Sequence, residues 1–344
     1  MGIIFEKSVG QFRSNSASKI NNKRISNADF AILKRIDLTY MSEEAYTPTE
    51  YPYLDELQSL KQILPIPEFL LKPIGRYLLP YEMTDTDKIN FKGKKTVIYL
   101  HGVGGFTEEN SILHRQLMEH GCDLIRISYR VDYEKEGINY PKKAEDMLPF
   151  IKEFETKIGP IVNAELIKLI SKLKAEYPEL FNNKEIILIA HSIGAGIIAN
   201  LAASYKTVEF DKFINLDGTL LLPTTKNGLN ISELHLSQDS MFQNTWIDEE
   251  DSKDPLKAIG QDYCKRINTF INNSSNKNIW IQIKASTHFT FTDFPNILKS
   301  YKIFKKVAGT RAAAKRIRDY IIEYIEYSDI LEIDTNDQLI INRS

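Results

Sequence analysis

Ser192 stands in the run Ala190-His191-Ser192-Ile193-Gly194, straight after the apolar residues Ile186 to Ile189 and straight before the small, apolar stretch Ala195 to Ser204. A serine hydroxyl is a weak nucleophile near neutral pH. It does covalent chemistry only when a base takes its proton and an acid holds that base in the right tautomer. A strand, a tight turn with a central serine, then a helix is the setting of the Gly-x-Ser-x-Gly nucleophile elbow, which lifts the hydroxyl above the carboxyl end of a sheet. Ala190 stands where the first glycine belongs, while Gly194 and Gly196 are present. The same five residues also suit a serine that merely caps a helix, so the chemistry depends on partners elsewhere in the chain.

In hydrolases built this way the partners follow in the order serine, acid, histidine. His101 and His191 lie inside glycine-containing turns, where they shape loops, and His114 and His120 fall on a helix-like segment before the serine. His235 falls within an apolar strand pattern and reads as a packed residue. His288 alone follows the last strand, in KASTHFTFTDF, where a loop can carry it over the sheet edge as general base. Two aspartates are candidates for the acid. Asp217 ends a strand in INLDGTLLLP, and Asp239 ends the next one in HLSQDS, the more usual place for the acid. Periodicity does not separate them, since both also suit turns.

As the serine attacks, negative charge grows on the substrate carbonyl oxygen, and two preorganised backbone N–H donors are wanted there. Ile193, next after the nucleophile, is one expected donor, and Val103, in the turn His101-Gly102-Val103-Gly104-Gly105, is the other. That turn lacks both Gly-x-Gly-x-x-Gly spacing and a Walker lysine, which weakens a phosphate-binding reading.

These residues need a scaffold, and the pattern supplies one. Thr96 to Leu100, CDLIRISYR, the elbow strand, FDKFINLDG, ISELHLSQ and Asn278 to Ala285 read as strands. Between and after them SILHRQLMEHG, Asn163 to Tyr177, Asp254 to Asn272 and Thr310 to Tyr327 read as helices. Alternation of this kind predicts an α/β fold with a mostly parallel sheet and helices on both faces. Residues 86–330 are expected to form the core domain and 331–344 a tail. Residues 1–85 are expected to form an N-terminal extension, polar and irregular to about residue 50, then apolar and broken by prolines over Tyr51 to Tyr81. That second part reads as short packed helices, or as a flap that borders the site or touches a lipid surface. Pro223 to Asn230 and Asp248 to Asp254 read as surface connections.

Composition narrows the function classes. With 344 residues, 42% hydrophobic and 26% charged, the chain suits a soluble protein with a sizeable core. A net charge of -2 gives no electrostatic footprint for nucleic acid. Cys122 and Cys264 match no metal-ligand spacing and are expected to be buried thiols. No signal-like apolar stretch opens the chain and no run reaches the roughly 18 apolar residues of a membrane span, so the expected setting is cytoplasmic.

YLHGVGGFTEENS, the elbow with its strand, INLDGTLLLP and STHFTFTDFP together resemble the plasma-type platelet-activating-factor acetylhydrolases, a family of α/β-hydrolases, over roughly Thr96 to Phe294. The resemblance implies Ser192 as nucleophile, Asp217 rather than Asp239 as acid, His288 as base, and Val103 and Ile193 as oxyanion donors. It also implies hydrolysis of short or oxidised sn-2 acyl groups of phospholipids without metal or other cofactor. Ala190 and Ala195 replace glycines of the family pattern, which tightens the turn and narrows the acyl site. The alternatives are a non-catalytic scaffold of this fold that binds a ligand or protein, and a peptidase or amidase using the same triad.

Overall fold

The computed structural model describes residues 23–24, 33–41, 46–48, 81–83, 93–103, 105, 107–131, 137–141, 143–240, 242, 244–247, 249–297, 308–330 and 332–343. Among them β1 (Lys23–Arg24), β2 (Leu33–Met41), β5 (Lys95–Leu100), β6 (Cys122–Val131), β7 (Glu185–His191), β8 (Lys212–Leu216), β9 (Ser232–Gln238), β10 (Asn278–Ile283) and β11 (Gln338–Arg343) form one nine-stranded sheet. Its order is β1-β2-β6-β5-β7-β8-β9-β10-β11. The six strands from β6 to β10 in that order run parallel, and β1, β2 and β11 add antiparallel edges. A separate pair, β3 (Tyr46–Pro48) and β4 (Tyr81–Met83), makes a small antiparallel ladder. Most of Tyr51 to Tyr81 lies outside the described residues.

The helices are α1 (Ser111–Glu119), α2 (Met147–Glu153), α3 (Gly159–Glu176), α4 (Ile193–Ser204), α5 (Thr224–Asn227), α6 (Pro255–Asn273), α7 (Phe294–Ile297) and α8 (Arg311–Tyr327). Strand residues alternate between two buried layers, as a period of two requires. Ile98, Leu100, Leu188 and Ala190 join α3, α4 and α6 on one face. Val97, Tyr99, Ile187 and Ile189 join α1 and α8 on the other. Each buried Leu or Ile contributes about 1.5–3 kcal/mol of transfer free energy, and a sheet covered on both faces explains why these strands read as continuous apolar runs.

Three expectations need correction. Leu33–Met41 is a strand paired with β6, not irregular chain, and Gln338–Arg343 pairs with β10 instead of trailing as a tail. The expected surface connection at Pro223 to Asn230 contains α5, with Thr224 and Thr225 buried. Asn200 of α4 causes this: its Oδ1 accepts from the Thr224 N–H at 3.3 Å and its Nδ2–H donates to the Leu222 carbonyl at 3.1 Å. Cys122 and Cys264 are both buried and are not joined in a disulfide.

The sheet order also decides where a site belongs. From β5 the chain goes to β6 on one side and then crosses to β7 on the other. The carboxyl ends of β5 and β7 therefore flank a topological switch point, the crevice where open α/β sheets bind ligands.

Candidate active site

Ser192 lies at that crevice, between β7 and α4, with φ 57° and ψ -140°. A left-handed φ on a non-glycine residue costs on the order of 1–3 kcal/mol and persists only where its surroundings enforce it. Here the Ser192 N–H donates to the Leu216 carbonyl of β8 at 3.1 Å, and the Ala195 N–H donates back to the Ser192 carbonyl at 3.0 Å. Gly102, in the turn after β5, packs on the same serine: a Cβ there would lie 2.6 Å from Ser192 Cβ. Gly196 is equally constrained, since a Cβ would meet the Thr219 carbonyl at 2.6 Å. Ala190, by contrast, is fully buried within β7, where its methyl is part of the core.

The helix-cap alternative for Ser192 fails on geometry, because its side chain makes no capping hydrogen bond to α4. Instead Ser192 Oγ lies 3.0 Å from His288 Nε2, and His288 Nδ1 lies 2.7 Å from Asp217 Oδ2. The acidic partner fixes the tautomer: His288 Nδ1–H donates to the carboxylate, which leaves Nε2 to accept from the serine O–H. His288 opens a short 3-10 turn, His288–Phe291, with a capping box in which the Thr287 N–H donates to Thr290 Oγ1 at 2.8 Å.

Asp217 follows β8 with φ 50°. Asn215 holds that turn: its Oδ1 accepts from the Gly218 N–H at 2.7 Å and its Nδ2–H donates to the Gly218 carbonyl at 3.0 Å. Asp217 Oδ1 accepts from the Gln238 N–H at 2.9 Å and from the Tyr263 hydroxyl at 3.4 Å, while Oδ2 also accepts from Gln238 Nε2–H at 2.6 Å. Burial pushes the Tyr263 hydroxyl well above its ordinary value, with the Asp217 charge adding to the effect, so Tyr263 stays a donor.

Asp239, the rival acid, does something else. Its two oxygens accept from the Ser286 N–H and the Ala285 N–H, both at 3.0 Å, so it clamps the loop that carries His288. Val103 lies in the turn whose Gly102 packs on Ser192, and that turn is closed by the Gly105 N–H donating to the Gly102 carbonyl at 3.1 Å. Ile193 is the first residue of α4, where backbone N–H groups have no partner within the helix. Ile193 thus directly follows Ser192 at the start of α4, and Val103 directly follows the glycine that packs on Ser192.

Several site residues escaped sequence reasoning. Gln238 and Tyr263 carry no motif. His191, a turn residue by its sequence context, stacks its ring on that of His288 with centroids 4.6 Å apart. Its Nδ1 meets Glu109 Oε1 at 3.0 Å.

No protein-family model and no curated protein matches the chain. Among solved structures, a ferulic acid esterase from Streptomyces cinnamoneus superposes with a TM-score of 0.56 at 14% identity, covering 89% of this chain and 88% of that one. The fold is that of the α/β-hydrolases. A dienelactone hydrolase from Anabaena variabilis aligns over 90% of this chain and 98% of its own at 10% identity, with a TM-score of 0.47. An alpha-beta serine hydrolase homologue from Coxiella burnetii covers 69% of this chain and 87% of its own at 14% identity, with a TM-score of 0.42. In an α/β-hydrolase sheet the strand after the nucleophile strand is β8 here. The carboxylate that meets His288 thus follows β8, one strand before Asp239, which follows β9.

Proposed function

We propose that this chain is a serine carboxylic ester hydrolase that works through an acyl-enzyme. The observation that carries the reading is the unbroken line Ser192 Oγ, His288, Asp217, with contacts of 3.0 and 2.7 Å, built on a serine with left-handed backbone. A merely structural serine needs neither the strain nor the imidazole.

In this reading Ser192 Oγ attacks the ester carbonyl carbon while His288 Nε2 takes its proton. Asp217 stabilises the imidazolium and holds its Nδ1–H. The tetrahedral oxyanion accepts hydrogen bonds from the Ile193 and Val103 N–H groups. On collapse the C–O bond to the leaving group breaks, and His288 returns the proton to the departing alkoxide. Water, deprotonated by the same imidazole, then attacks the acyl-enzyme and restores Ser192.

The substrate class we assign is a short acyl ester, including sn-2 acyl groups of phospholipids, on the strength of the four sequence segments that resemble platelet-activating-factor acetylhydrolases. In the same reading the apolar segment 51–81 meets the lipid surface, and the protein works in the cytoplasm without a nucleic-acid partner. Among the described residues no helix is long and apolar enough to cross a membrane.

The test is labelling with a fluorophosphonate probe, alongside turnover of p-nitrophenyl esters of increasing chain length, phospholipids and peptides. Ser192→Ala should abolish the adduct and lower kcat for a short ester by about 10³-fold or more. Wild-type protein that gains no adduct at Ser192 would favour the non-catalytic scaffold, and faster cleavage of peptides than of esters would favour the amidase.

A further inference from the structure

Behind the triad lies a second set of ionisable groups that the mechanism above leaves unused. His191 is buried, and both of its ring nitrogens face acceptors. Nδ1 lies 3.0 Å from Glu109 Oε1, and Nε2 lies 3.3 Å from the backbone carbonyl oxygen of His288. A carbonyl oxygen has no proton to give, so the Nε2 contact needs a proton on nitrogen.

The other contact is settled by its neighbours. Asn110 Nδ2–H donates to the Tyr99 hydroxyl at 2.7 Å, and that hydroxyl in turn donates to Glu109 Oε1, also at 2.7 Å. The same Oε1 is thus already an acceptor, as an ionised carboxylate is, and the proton between it and His191 belongs to Nδ1. Neutral imidazole has one N–H; satisfying both contacts takes two.

We propose that His191 is a positioning residue for His288, held as an imidazolium by Glu109 so that one N–H anchors it and the other tethers the His288 backbone carbonyl. This rests on the esterase reading of the site and adds a pH-dependent support to it. The ring stack, with centroids 4.6 Å apart at 29°, fixes the plane on which the His288 imidazole lies. The carbonyl tether fixes where its chain enters the turn.

The charged and titratable surroundings agree. Burial opposes charge on His191, but the Glu109 carboxylate from the segment leading into α1, with Asp217 after β8 and the His288 carbonyl, more than offsets it and raises His191 above its ordinary value. Burial pushes Glu109 upward, yet His191, His101 at the end of β5 and the Tyr99 hydroxyl together hold it below the ordinary carboxylate value. As pH rises through the raised value of His191, it loses one of its two protons, and either the anchor or the tether is lost with it.

Two measurements test this. Side-chain 15N NMR on the full chain, with the His191 signals assigned by their absence in His191→Gln, reads the ring directly. Just above the ordinary histidine value of roughly 6.5, most of the His191 rings should still carry protons on both nitrogens. In Glu109→Gln the ring should become singly protonated at that pH. The alkaline fall of kcat should move to lower pH with KM little changed, and Glu109→Asp should restore part of the range. A His191 ring already neutral in the wild type at that pH overturns the proposal, as does a Glu109→Gln profile scaled down evenly without moving. The NMR result on wild type stands even if Glu109→Gln fails to fold. Fluorophosphonate labelling of Ser192 in the same samples separates failure of the tether from failure of the esterase reading itself.

Discussion

Replacing Asp217 by asparagine is the sharpest probe of the triad, because all four groups that approach its carboxylate are donors. Oδ1 takes the Gln238 N–H and the Tyr263 O–H; Oδ2 takes Gln238 Nε2–H and His288 Nδ1–H. An amide nitrogen must therefore face two of them. Placed at the first oxygen it opposes the Gln238 backbone N–H, which cannot turn away, at a cost of about 1–3 kcal/mol. Placed at the second it opposes the Gln238 side-chain amide, which can flip, and an imidazole, which can change tautomer. The second arrangement is cheaper, and it puts the His288 proton on Nε2, facing Ser192 as a donor. That tautomer cannot accept the serine proton. A wrong tautomer of this kind lowers kcat by about 10⁴-fold, about 5 kcal/mol of transition-state stabilisation, while folding stability falls by only about 1–2 kcal/mol. Asp239→Asn, by contrast, keeps one of the two backbone clamps on Ala285 and Ser286. It should lower kcat about tenfold through a looser His288 loop. The assay is single-turnover acylation by a p-nitrophenyl ester, with a urea melt of each variant to account for unfolded protein. A larger loss of kcat in Asp239→Asn than in Asp217→Asn would refute the assignment of the acid.

Two further outcomes follow from the same geometry. Gly102→Ala puts a methyl 2.6 Å from Ser192 Cβ and 3.2 Å from its Oγ, so the ester assay should show a kcat loss of about 100-fold with circular dichroism unchanged; near wild-type turnover would mean that the turn is not held against the serine. His235 is fully buried, and burial drives it down from 6.5 to about 3. The unfolded chain therefore binds a proton that the folded one refuses, and this contribution to stability is complete above about pH 6.5 and is lost as pH falls toward 3. Relative to His235→Gln, wild type should lose up to about 1.4 kcal/mol per pH unit across that window, read by denaturant melts; parallel stability curves would contradict it.

The parts of the molecule that the sequence made legible are those written in contiguous residues. Ile186 to Ile189 announces a strand covered on both faces, and β7 lies there with α1 and α8 on one side and α3, α4 and α6 on the other. The elbow, the late histidine and the strand before each were visible for the same reason. The edge strands were not. Leu33–Met41 alternates Ile36, Leu38 and Tyr40 with charged and polar residues, but it lies in polar surroundings that mask the period of two. The choice between Asp217 and Asp239 was illegible from periodicity, because it depends on where two loops point. Asn215 and Gly218 turn one of them, and the Ala285 and Ser286 N–H groups occupy the other. The Glu109 and His191 pair joins residues 82 positions apart, and no spacing rule connects them.

That the acid comes from β8 has a structural consequence for how the triad is held. β8 is hydrogen-bonded to β7, the strand of the nucleophile, whereas β9 is one strand further away. The Ser192 N–H donates to the last residue of β8, Leu216, and the next residue in the chain is the acid itself. A Cβ on Gly218, the residue after the acid, would overlap both the Ser192 carbonyl and the Ala195 side chain. The acid turn and the elbow are thus packed directly on each other, so nucleophile and acid share one rigid unit. His288, on a loop after β10, is the member that must be brought to them. It is also the one with extra support: Asp239 on its loop, the Thr287 and Thr290 capping box in its turn, and His191 on its ring and carbonyl. Asp239, at the usual acid position, therefore serves the histidine loop through the Ala285 and Ser286 N–H groups instead of the imidazole itself.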